Sequence, residues 1–363
     1  MLYFLWVITF FGTAFCMIQF PNSSKYKKIT LYMLFAFIFI LHGWSSGAYD
    51  VNIGISRYVN FDFYQSFTEI GFNYLVLLGH YFGLDYRTFY VLVSLFELLV
   101  IFWFVEKNCS KSPIVMGLFI LYPSVILLQY VRNLVALPFV LIGIDALINK
   151  TKKYIIKYTV LVLIASTFHS SALFFLFYLP ASFFQRRFVV IGSIGGVVIL
   201  ETASSWRFLY NFVKQYVSSS KADILLRTAN ATGNFGRIFS LSFAIAIFYF
   251  MYYFLKLVFS VDMDEEKDRL FFNMNTVLFL CIPLTIKFAV GFSRIPVLIF
   301  IINYVFYVNK ISDIRGQRKR LLCYCVLGIF LVGMLFMSFR NLEYRQLVLY
   351  PFFEQNELID WLF

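Results

Sequence analysis

The sequence predicts an all-α, polytopic membrane protein that forms one integral domain over residues 1–363. Three observations carry this. The chain is 61% hydrophobic and 14% charged, where a soluble chain carries about 25% charged residues. Its apolar residues come in uncharged runs, as at 31–41, 114–128 and 188–200, and a helix that crosses a bilayer needs roughly 17–25 mostly apolar residues. Its basic residues, which give a net charge of +12, punctuate those runs, so the charge reads as membrane topology and not as a nucleic-acid surface. Strand alternation is absent, which argues against a β-barrel.

In chain order the predicted spans lie near 2–20, 29–44, 87–105, 113–130, 133–149, 156–168, 171–184, 188–201, 235–258, 270–288, 294–308 and 321–339. The first run has no basic n-region and no small-residue cleavage site, so it reads as a retained span. Six basic clusters separate the spans: Lys25 to Lys28, Lys107 with Lys111, Lys150 to Lys157, Arg186 with Arg187, Lys256 to Arg269, and Lys310 to Arg320. The positive-inside rule places them in the cytoplasm. About twelve spans then put both termini outside. The long external loops, near 45–86, 201–234 and 340–363, are where function is expected. The stretch 68–82 is apolar but short, and is expected at the outer face or re-entering it.

Two predicted spans are too short to cross a bilayer of about 30 Å. They meet at Thr167-Phe168-His169-Ser170-Ser171. This is either one long span with a polar centre or a broken hairpin, and the basic clusters on both sides favour the hairpin. Broken helices at membrane depth are tolerated inside protein or around a wet cavity.

The six cytoplasmic clusters hold 13 Lys and 6 Arg. The other basic residues divide as 9 Arg (Arg57, Arg87, Arg132, Arg207, Arg227, Arg237, Arg294, Arg340 and Arg345) and 3 Lys (Lys214, Lys221 and Lys287). Topology explains lysines inside and does not explain arginines outside. A guanidinium is a planar, permanently charged fork that grips phosphate bidentately, so these arginines suit a lipid-linked phosphate or diphosphate. Snorkelling to headgroups accounts for any single one about as well. It accounts less well for Arg132, Arg237, Arg294 and Arg340, which open or close spans beside small residues or turns, at the outer ends.

His169, at the predicted break, is a candidate general base or a hydrogen-bond donor to a leaving group; a histidine bonded within the bundle is the plainer alternative. Asp50 opens the first outer loop and could activate a sugar hydroxyl. Asp62, Glu69 and Asp85 follow it and read as solvated charges or as partners for Arg57. Glu97 is mid-span and needs a partner. Asp145, near a cytoplasmic end, is expected to pair with a lysine, and 262–268 reads as a solvated acidic loop. The five cysteines form no CxxC pair, so neither a disulfide framework nor a metal site is expected. Walker, GxGxxG, HExxH and GxSxG motifs are absent, and no cofactor is implied.

The order of an outer-loop carboxylate, an Arg132-Asn133 step opening an apolar helix, Phe168-His169-Ser170-Ser171-Ala172-Leu173 after a short span, outer arginine turns and a terminal Tyr350-Pro351-Phe352 resembles the EpsG/Wzy-like bacterial polysaccharide polymerases of O-antigen, capsule and exopolysaccharide synthesis. The chain departs from that pattern at Asn133, where the family usually has Gln. The resemblance implies a GT-C-like membrane glycosyltransferase that joins undecaprenyl-diphosphate-linked oligosaccharide units on the outer face, without nucleotide sugar or metal. It implies His169 or Asp50 as the base, with Arg132, Asn133, Arg237, Arg294, Arg340, Arg57 and Ser170 binding diphosphate or sugar. A flippase and a chain-length regulator are implied as partners. Two other readings remain. A flippase or transporter of lipid-linked oligosaccharides should show internal repeats, and none is evident. A single-addition glycosyltransferase or ligase would use the same chemistry on another acceptor.

Overall fold

The computed structural model describes residues 24–46, 54–56, 58–61, 69–127, 131–202, 207–208, 210–211, 214–215, 234–288, 294–340, 342 and 345–362. Among them the chain is helical, apart from turns and one isolated antiparallel bridge between Ser45 and Asn356. The expected first span, 2–20, lies outside them. A membrane-embedded backbone must satisfy its own N–H and C=O groups, and the helix does this within one segment.

The helices are α1 (Ser24–Gly43), α2 (Ile70–Tyr81), α3 (Tyr86–Asn108), α4 (Ser112–Leu121), the single turn α5 (Ser124–Leu127), α6 (Val131–Ile148) and α7 (Tyr154–Phe168). A 3₁₀ run (Ser170–Phe177) leads into α8 (Tyr178–Phe183) and α9 (Arg186–Leu200). After it come α10 (Asn234–Val258), α11 (Glu266–Val277), α12 (Cys281–Phe288), α13 (Ile295–Ser312) and α14 (Gln317–Ser338). The short helices α15 (Tyr350–Glu354) and α16 (Glu357–Leu362) close the chain.

Seven segments among the described residues are long and apolar enough to cross a bilayer: Lys25–Gly43, Tyr86–Asn108, Val131–Ile148, Ile238–Val258, Glu266–Ile286, Ile295–Ser312 and Gln317–Ser338. Ser112–Leu121, Tyr154–Phe168 and Ser170–Phe183 are apolar but shorter. The protein is therefore a polytopic helical membrane protein. The expected span at 113–130 is interrupted after α4 by Tyr122-Pro123, where Pro123 ends the ladder of backbone hydrogen bonds.

Ion pairs sort the helix ends into two groups. At one end Lys107, closing α3, pairs with Asp145 of α6 at 2.7 Å. Lys150, just after α6, pairs with Glu266 of α11 at 2.6 Å. Lys310, in the last turn of α13, pairs with Asp268 of α11 at 2.8 Å. Asp145 thus meets a lysine, as its position predicts. The acidic loop departs from its expected form, because Asp268 is 1% exposed. Its carboxylate closes a capping box with Glu265 as well as the Lys310 pair, so it is structural where Asp262 and Asp264 are exposed. We call this the lysine end. Arg87, Arg132 and Arg294 stand at the opposite ends of the same helices, with Arg340 just past α14. This is the arginine end.

Between the ends the core is aromatic and aliphatic, with Phe248, Tyr252, Tyr304 and Tyr307 among its fully buried large side chains. Polar contacts fix the packing: Asn275 and Asn303 exchange amide hydrogen bonds of 2.8 and 2.9 Å between α11 and α13, and Tyr304 donates to the Tyr122 carbonyl at 2.7 Å. A hydrogen bond of this kind between membrane helices contributes about 0.6–2 kcal/mol. Glu97, expected to have a partner, is 1% exposed, and its Oε1 has none among the described residues. Cys109, Cys281, Cys323 and Cys325 are free thiols.

At the arginine end, α2 is too short to span: its 12 residues rise about 18 Å. Gly71 lies against Thr167 at the end of α7, and Gly79 lies against Tyr58 and Phe89 near the start of α3. Both ends of α2 therefore touch the same end of the bundle, and the helix lies across it. The terminal segment docks beside it. Arg87 holds the Ser45 carbonyl at 2.9 Å and the Glu357 carboxylate, and Asn356 donates to the Ile40 carbonyl at 2.9 Å.

Candidate functional site

The site forms where α2, α6 and the end of α7 meet. The α7 helix stops at Phe168 because His169 turns to extended backbone (φ −150°, ψ 122°). In the last turn, the hydroxyls of Ser166 and Thr167 donate to the carbonyls of Leu163 and Ile164, each at 2.7 Å. The chain then reverses. Tyr158 donates to the Phe175 carbonyl at 2.5 Å, and the Tyr154 and Phe183 rings lie 6.5 Å apart. Of the two arrangements the sequence allows, this is the broken hairpin, with His169 at its tip.

Arg132 and Asn133 sit in the first turn of α6, beside that tip. Ser171 donates from its hydroxyl to Asn133 Oδ1 at 3.1 Å, which ties hairpin to helix. Asn133 is 1% exposed, and its Nδ2 has no hydrogen-bond partner among the described residues. Glu69, the residue before α2, enters from above. One of its oxygens, Oε2, accepts an ion-paired hydrogen bond from Arg132. The other, Oε1, lies 4.0 Å from His169 Nδ1. Nδ1 itself accepts a hydrogen bond of 3.2 Å from the Ser171 backbone N–H, so the lone pair is at Nδ1 and the ring proton of the neutral imidazole is at Nε2.

Burial of the three charged or titratable side chains is graded. Glu69 is 7% exposed, His169 12% and Arg132 29%. The arginine is thus the member most open to a ligand, while its carboxylate partner is enclosed. Burying a carboxylate without a partner is costly, which is why Glu69 is found against a guanidinium.

Of the residues singled out in the sequence, His169 is linked to Arg132 through Glu69 and to Asn133 through Ser171. Ser170 opens the 3₁₀ run, and its neighbour Ser171 makes the bonds. Arg294 is half-buried at the N-cap of α13, and Arg340 is exposed after α14, both at the arginine end. Arg237 is placed by its backbone in α10. Asp50 and Arg57 lie outside the described residues. Glu69 is the correction: read from the sequence as a solvated loop charge or a partner for Arg57, it is buried against Arg132 and is the hub of the cluster. A sequence signal was present, since Glu69 stands at the start of the short apolar stretch that could not span. Its partner could not be read, because 63 positions separate Glu69 from Arg132.

A family model, described as the EpsG family, matches residues 49–352. The chain belongs to the EpsG family. Glu69, Arg132, Asn133 and His169 all fall within the matched stretch. Neither the curated proteins nor the solved structures compared with the chain give a match.

Proposed function

We propose that this EpsG-family protein is a polysaccharide polymerase of the GT-C-like kind. It joins undecaprenyl-diphosphate-linked oligosaccharide units at the outer face of a bacterial cytoplasmic membrane. The observation that carries the reading is the Glu69–Arg132–His169 cluster: a partly open guanidinium and an imidazole, bridged by one buried carboxylate at a helix break. The arginine end is taken as the outer face, since the positive-inside rule assigns the lysine end to the cytoplasm. We propose about twelve spans with both termini outside, of which seven segments among the described residues are long and apolar enough to cross a bilayer.

In the proposed reaction the acceptor hydroxyl oxygen bonds to the anomeric carbon of the donor's first sugar. The bond from that carbon to the diphosphate oxygen breaks, and the electron pair leaves with the polyprenyl diphosphate. The hydroxyl proton goes to His169, with Asp50 as the second candidate. Arg132 gathers the charge that develops on the leaving diphosphate, and Arg237, Arg294, Arg340 and Arg57 are proposed to extend that role. Asn133 Nδ2, which has no hydrogen-bond partner among the described residues, supplies a further donor for a diphosphate or sugar oxygen, and Ser170 is proposed to add another. The chemistry is proposed to need no metal or cofactor. A flippase that delivers the donor and a chain-length regulator are the proposed partners.

The test is a chromosomal knockout complemented with wild-type or variant protein, reading surface glycan length on a gel. A polymerase knockout keeps single-unit glycans and loses long chains. Loss of single units as well points to a flippase or ligase, and unchanged long chains overturn the reading.

A further inference from the structure

The cluster holds one carboxylate between two claimants, and the geometry ranks them. Glu69 is in full contact with Arg132 through Oε2, while its Oε1 stops 4.0 Å short of His169 Nδ1. Nδ1 meanwhile accepts the Ser171 N–H. In this arrangement the ring proton is on Nε2, so Nε2 can donate a hydrogen bond but cannot take a proton. Resting on the diphosphate reading of Arg132, we propose that Glu69 is a positioning residue that passes from Arg132 to His169 when the diphosphate of the donor arrives. Donor binding thereby switches His169 into a base.

The physical steps are few. A diphosphate carries more charge than a carboxylate and offers a guanidinium two oxygens in fork geometry, so it outcompetes Glu69 for Arg132. The same negative charge repels the released carboxylate. Glu69 is enclosed by protein, so it needs another partner nearby, and His169 Nδ1 is 4.0 Å away. Pairing there requires a proton on Nδ1: the Ser171 N–H bond to Nδ1 breaks, the Nε2 proton passes to water, water supplies one to Nδ1, and the lone pair is left on Nε2. The acceptor hydroxyl proton then goes to Nε2, and the imidazolium that results stands against the Glu69 carboxylate. This is the orienting role that a carboxylate plays behind a catalytic histidine. It also imposes an order: without donor, His169 is held in the wrong tautomer, so an acceptor that arrives early is not activated.

Among the described residues, Asp145 and Lys157 are charged groups on the packed elements that stand away from His169. Asp145 is at the other end of α6 and Lys157 is in the first turn of α7, each about 15–20 Å along its helix.

The probe is undecaprenyl diphosphate without sugar, titrated onto the full chain in lipid nanodiscs and counted by native mass spectrometry. The expected result is that Glu69→Gln binds the probe about tenfold more tightly than wild type, because the competitor for Arg132 is gone. Its turnover of the complete donor falls by about a hundredfold with a lower KM, a combination that a merely misfolded site does not give. Arg132→Ala weakens the probe tenfold or more. If Arg132→Ala binds like wild type, the diphosphate reading itself fails. If Arg132→Ala weakens binding but Glu69→Gln binds equally or less well, the handover is wrong while that reading stands. A measurement on wild type covers the case in which Glu69→Gln does not fold. The chain has three histidines, and ¹⁵N labelling of their rings should show the His169 proton moving from Nε2 to Nδ1 when the probe is added. An unmoved proton overturns the proposal.

Discussion

The two ends of the bundle handle charge in opposite ways. At the lysine end each buried charge has several partners of its own. Lys310 holds Asp268 at 2.8 Å and the Asp262 carbonyl at 3.1 Å. Asp145 takes Lys107, Asn108 and Asn149 at 2.7, 3.1 and 2.9 Å. At the arginine end one carboxylate serves both a guanidinium and an imidazole, and a buried amide nitrogen has no partner among the described residues. A satisfied network contributes to shape, whereas a shared or unfinished one has capacity left for a ligand. The contrast lies in how the carboxylates are shared, since buried atoms without a hydrogen-bond partner among the described residues, Ser112 Oγ and Asn273 Oδ1 among them, occur at the lysine end too.

The comparison breaks most visibly through Lys310 and Asp268. Asp268→Ala leaves the Lys310 ammonium, 8% exposed, without its main partner. A buried pair broken in this way costs about 3–5 kcal/mol, so thermal unfolding in detergent should show a large loss of stability. The double change to Asp268→Leu with Lys310→Met should recover much of it. Chain length per folded molecule should stay normal in both, since the pair lies at the end away from the site. A loss of chain length at normal expression in the double variant would mean that the lysine end is not mere scaffold.

A smaller effect sharpens the other side. A Cβ on Gly71 would stand 2.2 Å from Thr167 Oγ1 and 3.1 Å from the Thr167 backbone carbon. Gly71→Ala must therefore shift α2, and with it Glu69 two residues earlier. Overpacking of this kind costs about 1–3 kcal/mol. Activity should fall further than that modest loss of stability explains, because the carboxylate is displaced from both claimants. Gly43 is a control at the same end: a Cβ there meets its nearest atoms at 3.5 Å, ordinary contact, so Gly43→Ala should leave activity and melting nearly unchanged.

Much of this organisation was legible in the sequence. Uncharged runs gave the helices, the short pieces on either side of His169 gave the break, and the division of lysine from arginine anticipated the two ends. These features are local, set by a few neighbouring residues and the length a bilayer demands. Asp268 was misread because an acidic run looks solvated until a lysine 42 positions later folds onto it. Glu69 was misread for the same reason, its partner lying 63 positions away. Pairing across such separations depends on how α2 lies across the bundle, and no local pattern records that.

The central claim is that the arginine end is the reaction site and that Arg132 holds the diphosphate there. The most direct measurement is turnover of a synthetic undecaprenyl-diphosphate oligosaccharide by purified protein in liposomes, comparing wild type with Arg132→Ala and Arg132→Lys. Removing one donor to a developing oxyanion costs about 10²–10³ in rate. Arg132→Ala should fall by that much per folded molecule, beyond the stability lost by leaving Glu69 buried without its guanidinium, and Arg132→Lys should recover only part, since an ammonium is a point charge and not a fork. Wild-type chain lengths and rates from Arg132→Ala would contradict the account.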